Sequence, residues 1–336
     1  MNIPKSLTLE VETNGIAPYI VNDSLQKAVE IAIHLRRPLL LRGDPGAGKT
    51  QFAEVLAYQL YKDSGIDYNT KFFKWFVKST SKAVDGLYTF DYLKRLQDAN
   101  TKDVGLKKDA EYVKFGQMGQ AFRNSKPDAP TILLIDEIDK ADIDFPNDLL
   151  LELDQMKFVI PEVKDGSRID QERIITIDKN NKTNYEVKAE DRPIVIITSN
   201  DERELPNAFL RRCVFYYIKF PDEVLLTDII SRHMRSSKFP KIDKDQLSSI
   251  VKEFRRIYTL MKDNPNTEKV PSTSELIDWT KIIYKDYEEG NLKLVDSKIP
   301  FTVTDKENNV RINYSEVLFK TKNDYDLIHA TQNASK

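Results

Sequence analysis

Two patterns of apolar residues alternate along this chain. Short continuous runs occur at Leu39-Leu40-Leu41, at 72–77 (FFKWFV), 131–135 (TILLI), 194–198 (IVIIT) and 214–218 (VFYYI). Runs of this length, bounded by turn residues, predict strands of a parallel sheet covered on both faces. Between them apolar residues recur at helical spacing. Residues 22–36 place Leu25, Ala28, Val29, Ala32 and Leu35 on one face, with Asp23 or Ser24 as the cap. Residues 49–62 do the same with Phe52, Val55, Leu56 and Leu60. Strands alternating with helices predict a doubly wound α/β domain over residues 1–220. After Pro221 the strand signal stops. Residues 222–262 and 272–289 predict helices, hence a small helical domain and tail over 221–336. The polar stretches 100–110 and 161–191 predict insertions or hairpins emerging from the sheet.

Composition narrows the classes. The 336 residues suit two domains. With 51 basic against 53 acidic residues there is no sign of a dedicated nucleic-acid binder, and no nucleic-acid module is recognisable. Cys213 is the single cysteine, so no intramolecular disulfide forms. His34, His233 and His329 lie far apart, without zinc spacing, and read as surface or core fillers. No run of about 18 apolar residues predicts a membrane span. The opening residues MNIPKSLTLEVE lack the apolar centre of a signal peptide, and a cytoplasmic setting is expected.

The chemistry begins at Gly43-Asp44-Pro45-Gly46-Ala47-Gly48-Lys49-Thr50, which fits G-x-x-x-x-G-K-[ST] in full. Glycines let backbone N–H groups turn inward onto phosphate oxygens. The helix starting near Lys49 directs its positive dipole end at the same anion. Lys49 is expected to reach the β- and γ-phosphates, and the Thr50 hydroxyl to bind Mg²⁺. A predicted strand precedes the motif and the predicted helix 49–62 follows it, with Gln51 counted among the nucleotide-binding residues.

Three further segments supply chemistry. In 131–139 (TILLIDEID) an apolar strand ends in two carboxylates. Asp136 is placed to hold Mg²⁺ and Glu137 to orient and deprotonate the attacking water. In 194–200 (IVIITSN) a buried strand delivers Asn200 to its carboxyl end, where open α/β sheets bind ligands. In 205–213 (LPNAFLRRC) Arg211 and Arg212 end a short helix. Such a pair suits a helix C-terminus, and it equally suits an arginine finger that reaches a neighbour's γ-phosphate.

The order of these four segments resembles AAA+ ATPases, and within them the MoxR group. GDPGAGKT, LLIDEIDKAD, ITSN and LPNAFLRRC are similar to that group's Walker A, Walker B, sensor 1 and finger segments. Residues 79–98, 112–122, 146–162 and 271–279 resemble MoxR relatives encoded beside von Willebrand factor A (VWA) proteins. The resemblance covers about 15–285 and is weaker in the tail. It implies a P-loop AAA+ parallel-sheet core with a C-terminal helical lid. It further implies ATP and Mg²⁺ as cofactors, and a ring, most often a homo-hexamer, that remodels a VWA-domain partner or other protein client. Asn200 takes the sensor 1 position and Arg212 the finger position, with Arg211 where many relatives have aspartate. Tyr19, Ile20 and Val21 stand where relatives hold the adenine, just before the first helix. After Pro271 come Ser272, Thr273 and Ser274, with no sensor 2 arginine.

Two other readings remain open on the sequence. One is a nucleic-acid-directed AAA+ motor or a restriction or defence component. The other is a nucleotide-bound assembly switch that hydrolyses slowly, which the absent sensor 2 arginine keeps in view.

Overall fold

The five apolar runs assemble into one sheet. The structure, a computed structural model, describes residues 3–101, 106–164, 175–177, 183–236, 243–292, 300–304 and 310–334. The strands are β1 (Leu39–Gly43), β2 (Phe72–Phe76), β3 (Ile132–Asp136), β4 (Ile194–Ser199) and β5 (Val214–Ile218). Their order is β5-β1-β4-β3-β2, and every pairing is parallel. Leu40 pairs with Ile197 and Phe215, and Ile135 with Trp75 and Ile197.

The central strands are buried on both faces: Leu40, Leu133, Leu134, Ile135, Ile196 and Ile197 have no exposed surface. The edges behave differently. In β2 only Phe73 and Trp75 are buried, and in β5 Phe215 and Tyr217 are exposed. An edge strand has one paired neighbour and is covered less completely, so a continuous apolar run overstates its burial. Because the strands are parallel, Gly43, Asp136 and Ser199 end at the same edge of the sheet.

The chain divides into two compact units. The first is Met1–Leu7, Val21–Gly43 and Phe52–Ile218; the second is Thr8–Ile20, Asp44–Gln51 and Lys219–Lys336. In the first, the helix Asp23–Leu35 buries Leu25, Ala28, Val29 and Ala32. Leu35, expected on that face, is 52% exposed, because the chain turns out of the helix at Arg36 with φ 54°. The cap is Asn22 rather than Asp23 or Ser24, its Oδ1 accepting from the Leu25 N–H at 2.8 Å.

The helix Lys49–Tyr61 buries Phe52, Val55 and Leu56 completely and Leu60 nearly so. The stretch expected to form hairpins contributes Thr183–Lys188, which pairs antiparallel with Lys157–Ile160 and with Ile175–Ile177. Residues 165–174 and 178–182 of that stretch, and 102–105 of the other polar one, lie outside the described residues. A ribbon of Tyr88–Phe90 against Val113–Phe115 packs there as well, with the Tyr88 and Phe158 rings stacked.

The second unit is helical around its own core of Leu226, Ile230, Phe254, Ile257, Leu276, Trp279 and Ile283. The predicted helix 222–262 is two helices, Glu223–Ser236 and Lys244–Lys262, with 237–242 outside the described residues. Thr273–Glu288 and Lys322–Ala334 follow. The strand signal does not end at Pro221, as expected: Thr302–Thr304 pairs antiparallel with Val310–Ile312. Strands of three residues offer too few positions to show a period. His329 belongs to this core, Nε2 accepting from the Ile312 N–H at 3.1 Å and Nδ1 lying 2.8 Å from the Tyr325 carbonyl. Among the described residues no helix is long and apolar enough to cross a membrane.

Candidate nucleotide site

The loop after β1 has the backbone shape that an anion cradle demands. Gly46 and Gly48 adopt φ 74° and 82°, a region that side-chain-bearing residues rarely visit. Space is also restricted. A Cβ on Gly46 would lie 2.2 Å from Ser272 Oγ, and one on Gly48 would lie 2.8 Å from the Tyr19 ring. Asp44, Pro45 and Gly46 are exposed, and the Asp44 carbonyl accepts from Ala47 N–H at 3.2 Å and Lys49 Nζ at 3.0 Å. Lys49 is itself only 5% exposed. Thr50, half-buried, is the second residue of the following helix.

Tyr19 thus lies against the loop. The segment before it is tied to the helix start by Gln51, whose Nε2 donates to the carbonyls of Ala17 and Pro18 at 3.1 Å each. Ile20 is half-buried beside them in sequence. The segment after Pro271 caps a helix. Ser272 is the N-cap of Thr273–Glu288, and its N–H and hydroxyl both donate to the Glu275 carboxylate, a capping box. A cavity of about 460 Å³ lies beside Asp44, Pro45 and Gly46, and Lys262 and Lys269 are its cations among the described residues.

The carboxylate group of residues occupies the end of β3 in the first unit. Asp136 is 4% exposed, and its Oδ1 accepts from Thr198 Oγ1 at 2.6 Å. The same hydroxyl accepts from the Glu137 N–H at 2.8 Å. Glu137 has φ 59°, an uncommon conformation for a residue with a side chain. Its Oε1 accepts from Asn200 Nδ2 at 3.1 Å and its Oε2 from Lys140 Nζ at 2.5 Å. That hydrogen bond to Glu137 raises the Lys140 pKa above its ordinary value. A buried carboxylate is a hard oxygen donor of the kind Mg²⁺ takes, so Asp136 fits such an ion.

The structure therefore joins Asp136 to Glu137 through Thr198, and Glu137 directly to Asn200 and Lys140; neither Thr198 nor Lys140 stands out in the sequence. Thr198 left one trace, a hydroxyl within an otherwise aliphatic strand. The arginines stand apart from this network. Arg212 Nε pairs with Asp154 Oδ2 at 2.9 Å, and Nη1 donates to the Ala208 carbonyl. Arg211 is exposed, and its side chain makes no hydrogen bond or ion pair among the described residues.

No curated protein matches the chain. The family model for the ATPase family associated with various cellular activities (AAA) matches residues 39–221, more than half of the chain, spanning β1 through β5. With its five-stranded parallel core, its phosphate loop and the carboxylates at the end of β3, this chain belongs to the AAA family of ATPases, whose members bind nucleotide and hydrolyse ATP.

Proposed function

We propose that the chain is an Mg²⁺-dependent ATPase of the MoxR type. It works as a homo-oligomeric ring, most simply a hexamer, that remodels a VWA-domain partner or another protein client. The observation that carries the ATPase reading is the network in which Asn200 and Thr198 hold Glu137 and Asp136. In this reading the backbone of 43–50, with Lys49, binds the phosphates. Tyr19, Ile20 and Gln51 serve the base and ribose end. Thr50 and Asp136 hold Mg²⁺, which neutralises charge on the phosphate oxygens when bound. Glu137 accepts the proton of the attacking water, and Asn200 fixes both carboxylate and water. An arginine of the 211–212 pair supplies charge to a neighbouring subunit's site. The MoxR assignment and the client class rest on the similarity of residues 79–98, 112–122, 146–162 and 271–279.

The test is the thermal shift on adding Mg-ATP. The parent protein is expected to gain stability with ATP and Mg²⁺ together and less with EDTA present. Lys49→Ala is expected to show little gain. An unchanged gain in Lys49→Ala counts against the phosphate-site assignment. A slow assembly switch is the second reading. It is favoured by one feature, a base whose two oxygens are already engaged by Lys140 and Asn200. Turnover with and without the partner protein separates the two.

A further inference from the structure

Asp139 is a buried carboxylate that the hydrolysis scheme above leaves without a role. It is 2% exposed and lies three residues past Asp136. Its two oxygens are used unequally. Oδ2 accepts from the N–H of Asn200 and from the N–H of Glu202, each at 2.9 Å. Oδ1 is buried with no hydrogen-bond partner among the described residues. A buried acceptor without a partner costs stability, so packing alone does not explain an acid here.

The geometry of residues 199–203 shows what the acid holds. Between the two bonded N–H groups, Asp201 adopts φ 60°, and the chain turns sharply around Oδ2. The Asp201 side chain pairs with Arg42 on β1. Arg203 Nη1 donates to the Ala141 carbonyl at 2.8 Å, two residues beyond Asp139. The turn after β4 is thereby fastened to the segment after β3, and the side chain at its head, Asn200, donates to Glu137.

We infer that Asp139 is a positioning residue for ATP hydrolysis: it fixes the backbone of 200–202 so that the Asn200 amide meets Glu137. The inference rests on the ATPase reading. It makes a specific demand, because a single oxygen accepts both N–H groups. An amide oxygen in the same place meets that demand, and the amide nitrogen takes the position of the idle Oδ1. A side chain of similar size without an acceptor does not.

The experiment measures ATP affinity and kcat for Asp139→Asn and Asp139→Leu, alone and combined with Asn200→Ala, with melting temperature as the check on folding. Asp139→Asn is expected to stay within about threefold of the parent in kcat. Asp139→Leu is expected to lose roughly 10²-fold in kcat, the scale of a small misplacement, with ATP affinity within about threefold. In the Asn200→Ala background the same change is expected to cost no more than about threefold, because its target is already gone. Parental kcat in Asp139→Leu overturns the inference. So does an Asp139→Asn variant as poor as Asp139→Leu, or a full further loss in the Asn200→Ala background. If Asp139→Leu does not fold, Asp139→Ser replaces it: its shorter hydroxyl does not span both N–H groups, and the same loss is expected. A parent with no ATPase activity overturns the ATPase reading and this inference with it. An active parent, dead as Glu137→Gln but indifferent to Asp139→Leu, overturns the inference alone.

Discussion

Lys140 stands over the carboxylate of Glu137, its Nζ 2.5 Å from Oε2, while Asn200 holds Oε1. The two residues are three apart, on a single turn of 3-10 helix after β3. Both are partly exposed, at 41% and 33% of their side chains, which limits what the pair is worth. An ion pair in contact with water contributes about 0–1 kcal/mol, or at most about fivefold in any rate it controls. Lys140→Ala should therefore bind ATP and change turnover by less than about tenfold. Glu137→Gln keeps the shape and one acceptor oxygen, which the Asn200 amide can still reach, but removes the base, so it should bind ATP and turn over at least ~100-fold more slowly. Steady-state phosphate release on both variants checks the contrast. Near-normal turnover in Glu137→Gln removes it from the role of base.

The N-cap at Ser272 separates a stability effect from a catalytic one. Its side chain accepts from the Ser274 N–H at 3.2 Å and closes the capping box with Glu275. Ser272→Ala should cost about 1 kcal/mol of stability, the usual value of such a cap. Ser274 is exposed, and Ser274→Ala should change stability by less than about 0.5 kcal/mol. Neither should reduce turnover more than mildly. Denaturant unfolding beside an ATPase assay reads both quantities. A loss of turnover comparable to Glu137→Gln in either variant shows that a hydroxyl here does essential chemistry.

Arg212 is paired within its own chain to Asp154, with both side chains nearly half exposed. At about 0–1 kcal/mol such a pair yields readily to a phosphate in a neighbouring subunit. Arg212→Ala should fold and bind ATP but barely hydrolyse it, since a finger arginine is worth ~10³–10⁵ in rate elsewhere. Mixing it with Glu137→Gln tests whether the finger acts between subunits. In a head-to-tail ring roughly a quarter of interfaces then carry both intact residues. Partial recovery of ATPase activity is expected. No recovery in confirmed mixed rings leaves a role within one subunit or strict coupling of all sites. Full activity in Arg212→Ala alone transfers the role to Arg211.

Acid should weaken the second unit through its histidines. Burial, with a smaller effect of Lys281, lowers the His233 pKa from 6.5 to about 4. Burial likewise lowers that of His329, whose Nε2 must stay unprotonated to accept from Ile312. A histidine with a lowered folded-state pKa binds fewer protons folded than unfolded, so stability is lost as pH falls from about 6.5 towards 4. For His233 the loss between pH 7 and pH 5 should be roughly 1–2 kcal/mol. Urea unfolding at the two pH values measures it, and His233→Gln should flatten the dependence. An equal pH dependence in parent and variant rules His233 out.

Much of this protein was legible in its sequence because the deciding interactions are local. A strand buried on both faces needs an unbroken apolar run, and β1, β3 and β4 each show one. A phosphate loop needs glycines where φ must be positive, and Gly46 and Gly48 stand at those points. The carboxylates of β3 and the amide after β4 are visible for the same reason: each ends a recognisable strand.

Tertiary structure decided what depends on residues far apart in the chain. Thr198 meets Asp136 across 62 positions, and Asp139 meets Asn200 across 61. No local pattern encodes such a bond, because it exists only once β3 and β4 lie side by side in the sheet. Local chemistry also misjudged close rivals. Asn22, Asp23 and Ser24 are all good caps, and the path of the chain entering the helix selected Asn22. Leu35 has the spacing of a core residue but falls where the helix ends. Hydrophobic spacing fixes which residues are able to be buried, whereas coverage by other elements fixes which of them are.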